Sequence, residues 1–199
     1  MSGALDFLSP GLAEPAAVAR SSLERCQRDA GATFEERGGW LVPVSIPGED
    51  AHLAHVGIAD LSHVTKLEVR PAGDAPEAPG SVWYPLSRRR ALCFCHVPQL
   101  AEVRAQLADR LVLDVTAAYA VLALQGPEAP TLLRRLTHLH HFPSGGDVAH
   151  VTAHVLEQAP SYWIVVAQEY GHYLWEVAVD RAGPLGGGPV GVDAIGALR

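Results

Sequence analysis

The stretches YAVLALQGPEAPTLLRRL (residues 119–136) and HVTAHVLEQAPSYWIVVAQEYGHYLWEVAVD (residues 150–180) decide the fold of this chain. Tyr119 to Leu124 is an apolar, strand-like run. Pro127 to Leu136 then places Ala129, Leu132, Leu133 and Leu136 on one helical face. His150 to Leu156 and Tyr162 to Ala167 read as two strands around the turn Ala159-Pro160-Ser161. Glu169 to Asp180 is predicted helical, with Tyr170, Tyr173, Leu174, Val177 and Ala178 on its apolar stripe. A short strand over Pro189 to Val192 closes the series. The order β-α-β-β-α-β is the split βαβ of ferredoxin-like layers. The fold class expected is therefore α+β, with helices on one face of a largely antiparallel sheet.

Outward from this region the pattern is coarser. Leu12 to Ala30 reads as an amphipathic helix with Val18, Leu23, Cys26 and Ala30 near one face, so residues 1–30 form an N-terminal helical segment. Gly31 fits just past its end as a stop. Phe34 to Ile46 is extended, and Gly57 to Arg70 is a turn followed by a strand with Val64, Leu67 and Val69 as core candidates. Pro71 to Ser81 is a loop rich in proline, glycine and alanine. Ser81 to Pro85 and Ala91 to Cys95 form a strand pair around Arg88-Arg89-Arg90. Val97, Leu100, Val103 and Leu107 recur at helical spacing behind Pro98, and Leu111 to Val115 is a brief strand. Residues 31–199 thus read as the folded unit, in two lobes meeting near 110–118.

Composition narrows the function classes. The chain has 199 residues, 48% apolar and 19% charged, as a globular protein does. Fifteen basic against twenty-two acidic residues give a net charge of −7, which argues against nucleic acid as a partner. The triplet Arg88-Arg89-Arg90 is too short to reverse that. The chain shows neither an apolar run long enough for a membrane helix nor the pattern of a secretory leader. Of three cysteines, Cys93 and Cys95 share one face of a strand and have no second pair to complete a zinc site. The expectation is a cytoplasmic protein with reduced, buried thiols and no metal.

Each chemical motif has a plainer structural reading beside it. His150 and His154 have the spacing of two metal ligands on a helix, but their segment alternates as a strand. Both would then face solvent about 13–14 Å apart. Asp60-Leu61-Ser62-His63 holds three catalytic residue types side by side, where they cannot line up as nucleophile, base and orienting group. Asp60 and Ser62 read better as turn groups accepting backbone N–H bonds. Gly186-Gly187-Gly188 lacks the lysine and hydroxyl residue of a phosphate loop and reads as a connection. In Trp83-Tyr84 and Tyr162-Trp163, strand geometry turns one ring of each pair to the core.

Five segments in register resemble the glycine-cleavage T-protein family, the aminomethyltransferases. They are Gly31 to Pro43; Val56 to His63 with Lys66 to Val69; Ala123-Leu124-Gln125-Gly126-Pro127-Glu128-Ala129; Tyr173-Leu174-Trp175-Glu176; and Pro189-Val190-Gly191 onward. The resemblance implies the α+β fold of that family's N-terminal folate-binding domain, here without the C-terminal barrel into which the enzymes continue. It implies tetrahydrofolate as ligand, with Tyr84, His63 and Ser62 as candidate contacts.

The departures concern catalysis. The family's enzymes carry an aspartate after a Tyr-Thr-x-x-Leu-Asn strand, whereas Arg88 to Cys95 contains no acidic residue, so no carboxylate stands there to take a proton. A later glutamate-bearing stretch is replaced by Val155 to Tyr162. This pattern is similar to the small gamma subunit of sarcosine oxidase. It implies a non-catalytic, aminomethyltransferase-like subunit with no catalytic residue of its own. Such a subunit would support larger flavoprotein subunits in an amine-oxidising or one-carbon complex. The alternative is a tetrahydrofolate-dependent aminomethyl transferase or a free-standing folate-binding protein.

Overall fold

The computed structural model describes residues 18–196. In chain order the elements are β1 (Ala19–Arg20), α1 (Glu24–Asp29), β2 (Thr33–Arg37), β3 (Trp40–Ser45), α2 (Glu49–Leu53), β4 (Gly57–Asp60) and β5 (Thr65–Arg70). They continue with β6 (Val82–Ser87), β7 (Arg90–Cys95), α3 (Leu100–Gln106), β8 (Leu111–Asp114), β9 (Tyr119–Gln125), α4 (Ala129–Leu136) and β10 (Ser144–Val148). The last are β11 (Val151–Gln158), β12 (Ser161–Ala167), α5 (Gly171–Ala182), β13 (Gly188–Pro189) and α6 (Val192–Ile195). The class is α+β, as expected.

Three sheets form: a small one ordered β1-β3-β2, a six-stranded one ordered β10-β11-β12-β9-β4-β13, and a four-stranded one ordered β6-β7-β5-β8. The run β11-β12-β9 has the antiparallel neighbours that the β-α-β-β-α-β reading requires. The last strand does not pair with β9, however. β4, from the first half of the chain, takes that place, and β13 lies outside it as its parallel neighbour.

Strand alternation sorts the side chains into layers. On one face of the six-stranded sheet, Ala120, Leu122, Leu124, Ile164 and Val166 meet Leu132, Leu136, Leu174 and Ala178 of α4 and α5. On the other, Val121, Ala123, Trp163 and Val165 meet Leu92, Phe94 and Tyr84 of the four-stranded sheet. The helices therefore do cover one face, while the opposite face is covered by a second sheet that the pattern alone did not place. Beyond that sheet, Leu67, Val69, Cys93 and Cys95 pack with Val103 and Leu107 around α3. Burial pushes the Cys93 thiol up to about 12 and the Cys95 thiol to about 11, so both are inert apolar groups.

Several boundaries differ from the sequence reading. The N-terminal helix covers only Glu24–Asp29, with Ala19–Arg20 in a strand; residues 12–17 of the expected helix lie outside the described residues. The buried stripe of α5 is Gly171, Leu174, Trp175, Ala178 and Ala182, one residue round from the expected one. Tyr170 and Tyr173 are exposed. Such a shift arises because tyrosine counts as apolar in a periodicity yet tolerates a wet surface. The closing strand is only Gly188–Pro189, and Val192 opens a helical turn instead. β10 and α2 are short and carry little apolar patterning.

The Gln125-Gly126-Pro127 marker has a physical cause. Gly126 holds φ +125°, and a Cβ there would stand 2.4 Å from the His55 carbonyl oxygen and 3.0 Å from that of Leu53. The strand-to-helix turn is thus pressed onto the end of α2, and Glu128 N–H donates to the same His55 carbonyl at 2.9 Å. Because backbone rather than a flexible side chain blocks the space, Gly126→Ala is expected to destabilise the fold by about 3 kcal/mol. Urea denaturation should show this as a lowered midpoint with an unchanged slope.

Candidate functional site

The chain leaves the six-stranded sheet at Asp60 and enters the four-stranded one at Thr65. The residues between them carry the Asp60-Leu61-Ser62-His63 motif. Asp60 is buried: its Oδ2 accepts from Gln27 Nε2 at 2.7 Å and its Oδ1 accepts from Ser62 N–H at 2.8 Å. Ser62 Oγ accepts from Val121 N–H at 3.1 Å. The two are therefore turn groups holding backbone donors, as the sequence reading had it. Lys66, fully buried, donates from Nζ to the carbonyls of Ser62 and Val64, each at 2.8 Å. Burial draws its ammonium down to about 7, against the pull of Asp60 and Asp114.

His63 faces outward from this knot into a cavity of about 210 Å³. Among its lining residues are Arg37 at the end of β2, His96 after β7, and Asp193 in α6. Arg37 pairs with Asp193 through both terminal nitrogens, at 2.6 and 2.8 Å, and with Glu35 at 2.8 Å. Burial drives His63 down to about 4; nearby Asp60 opposes this, while Lys66, His96 and Arg37 add to it. Burial also lowers His96, whose Nε2 has no hydrogen-bond partner among the described residues. Near neutral pH the cavity presents two uncharged imidazoles and a carboxylate already engaged by a guanidinium. That set can accept or donate hydrogen bonds to a small polar group, but it offers no free acid.

The three residues expected to contact folate do not converge. Ser62 is spent on the backbone. Tyr84 is buried between the sheets, its hydroxyl 3.1 Å from His154 Nδ1 and the rings in edge contact with centroids 5.3 Å apart. Only His63 lines the cavity. The cavity is also smaller than the roughly 300–1,000 Å³ usual for small-molecule sites. Of the three, His63 alone reaches this cavity, and no chemistry is assigned through tetrahydrofolate here. His154 is likewise corrected: it faces Tyr84 at the sheet interface, while His150 sits exposed in the turn before β11 at φ +68°. The second ring of each aromatic pair is packed too, Trp83 against the α3 side and Tyr162 against the α4 side. Among the described residues, no group of three or more His, Cys, Asp or Glu is placed to hold a metal ion. No helix there is long and apolar enough to cross a membrane.

Sequence reasoning missed Arg37, His96, Lys66 and Asp193. Arg37 and Asp193 are 156 residues apart; both fall in segments that carry the family resemblance, but nothing local to either marks the other as its partner. The apolar run around Lys66 was the one usable signal, since a lone lysine between buried positions must bury its charge or snorkel. A pH prediction follows from His63. Its folded-state value lies below the ordinary 6.5, so the unfolded chain takes up the proton first on acidification. His63 therefore contributes stability above pH 6.5 that is lost as pH falls towards 4. His63→Gln is expected to reduce the fall in stability between pH 6.5 and 5 by on the order of 1 kcal/mol, read from urea midpoints at the two pH values.

No protein-family model matches the chain. The aminomethyltransferase of Frankia alni is 28% identical over 232 residues, covering 90% of this chain and 62% of that protein. The chain thus spans about three-fifths of that curated relative. Among solved structures, the glycine cleavage system aminomethyltransferase T from Bartonella henselae shares the fold with a TM-score of 0.70 at 20% identity, covering 92% of this chain and 62% of that one. A chain of the heterotetrameric sarcosine oxidase from Corynebacterium sp. U-96 aligns with a TM-score of 0.54 at 18% identity, covering 69% of this chain and 90% of that one. The chain is therefore similar in sequence along nine-tenths of its length to a curated aminomethyltransferase, and it shares the fold of a glycine cleavage system aminomethyltransferase T.

Proposed function

We propose that this chain is a non-catalytic, aminomethyltransferase-like subunit that docks onto a larger flavin-bearing amine-oxidising or one-carbon enzyme. The observation that carries the reading is the state of the cavity beside the Asp60–His63 motif. Its carboxylate, Asp193, is held in a two-point pair with Arg37, and its imidazoles are kept neutral by burial. A fold that retains its markers while its cavity offers no free acid is suited to packing against a partner rather than to proton transfer.

A surface for such a partner lies at the edge of the four-stranded sheet. β8 is an outer strand there, and Leu111 and Leu113 share a face with 54% and 41% of their surface exposed. Val112, between them, packs inward on the α3 cluster. An edge strand carrying exposed leucines has unpaired backbone groups and an apolar face together, the two things a docking partner covers. Likeness to a chain of a heterotetrameric oxidase supports the same reading. The alternative, a tetrahydrofolate-dependent transferase or a free-standing folate-binding protein, draws on the similarity to aminomethyltransferases over most of the chain.

Purification of tagged chain from its native host decides between them. The expected result is stoichiometric recovery of partner subunits with flavin absorbance, and loss of that recovery on Leu113→Glu. The variant's own stability should stay within about 0.5 kcal/mol, since the site is exposed. Recovery of colourless chain alone, together with saturable tetrahydrofolate binding by calorimetry, would establish the alternative instead.

A further inference from the structure

At the end of the four-stranded sheet remote from His63, the chain builds a cationic groove that the docking role does not use. The register pairs Val69 of β5 with Ala91 of β7, and Ser87 of β6 with Arg90 of β7. The end of β5 and the β6–β7 hairpin therefore come together at one edge. Arg70, Pro71, Ser87, Arg89 and Arg90 line an open cavity of about 480 Å³ there.

The arrangement is held from beneath by Glu68. Its carboxylate is buried, and each oxygen serves a different arginine. Oε1 accepts from Arg70 Nε at 2.6 Å and pairs with Arg70 Nη2; Oε2 accepts from Arg90 Nε and Nη2 at 2.8 and 2.7 Å. Arg90 Nη2 also donates to the Tyr119 hydroxyl at 3.2 Å. One negative charge thus fixes two guanidiniums side by side by their Nε and Nη2 edges, leaving both Nη1 groups unused by Glu68. Arg89 adds a third guanidinium, which has no hydrogen-bond or ion-pair partner among the described residues. Three cations against one carboxylate leave the groove net positive on a chain whose overall charge is −7. Like charges held together by a buried counter-ion already carry the ordering cost that binding an anion would otherwise incur, and planar guanidiniums match the two-oxygen edge of a carboxylate or phosphate.

We propose that this groove binds a small ligand bearing two neighbouring oxyanion groups, a diphosphate or a dicarboxylate. Arg70 and Arg90 form the fixed floor and Arg89 the closing contact. The site is independent of the docking reading and stands or falls separately from it.

Calorimetric titration of the full chain with inorganic pyrophosphate and, separately, with succinate tests it, the two arms telling phosphate from carboxylate preference. The expected result is one-to-one saturation by at least one of them. Arg89→Ala should weaken that binding by about tenfold or more. Arg88→Ala, which removes the same charge from a neighbouring residue that does not line the groove, should change it by less than about twofold. Both side chains are exposed, so neither variant threatens the fold. No saturation by either probe up to about 10 mM, or equal weakening by the two variants, overturns the proposal. So does binding of a hexaglutamate peptide in the absence of binding by both small anions.

Discussion

The crossing from one sheet to the other between Asp60 and Lys66 is the constraint on which the rest of the molecule rests. The two sheets pack face to face, so the strand that leaves one and enters the other must pass through the core with its backbone groups satisfied. Asp60, Ser62 and Lys66 do this with side chains: a carboxylate takes the Ser62 N–H, a hydroxyl takes the Val121 N–H, and an ammonium takes two carbonyls. Asp60 and Asp114 favour the ammonium, although burial still draws it down. Gln27, donating to Asp60 from α1, ties the N-terminal segment to the same point. Motif residues that look catalytic when written in a row are thus the polar fittings of a sheet crossing.

What this crossing exposes is His63, and the cavity it reaches is defined by strain between burial and charge. Imidazoles and an arginine share a small volume, and the desolvated imidazoles give up their protons. The arginine, charged throughout, is held by Asp193 and Glu35. The chemistry that remains is hydrogen bonding, not acid–base exchange. At the far end of the same sheet the balance is reversed: one buried carboxylate, Glu68, supports two guanidiniums, and a third, Arg89, stands beside them. One sheet therefore carries a neutralised pocket at one end and an unneutralised groove at the other.

Much of the fold was legible from periodicity alone. The strands expected over 119–124, 150–156 and 162–167 and the helix expected over 127–136 fall on β9, β11, β12 and α4 because these bury continuous apolar faces, which leaves a strong pattern. The α5 stripe was misplaced by one residue because Tyr170 and Tyr173 satisfy the pattern without being buried. The closing strand was overextended because Pro189-Val190-Gly191-Val192 is apolar throughout, and only the packing of α6 against β3 shows where it turns helical. The candidate site was less legible. Ser62 and Asp60 were rightly read as turn groups, since their preference for backbone donors is local. Tyr84 was singled out as a ligand contact but is held by His154, seventy residues away.

The sequence by itself determined the class of fold, the positions of its central strands and the likeness to the aminomethyltransferases, because burial periodicity and turn chemistry are written over a few neighbouring residues. Gly126 belongs here too, since its place at the end of an apolar run marks the turn. Only the tertiary structure decided that β4 inserts beside β9, that a second sheet covers the face opposite the helices, and which charges meet. Pairings such as Gln27 with Asp60, Arg37 with Asp193 and Arg90 with Glu68 join distant segments. Their energies depend on distance and burial, which no local pattern of residues encodes.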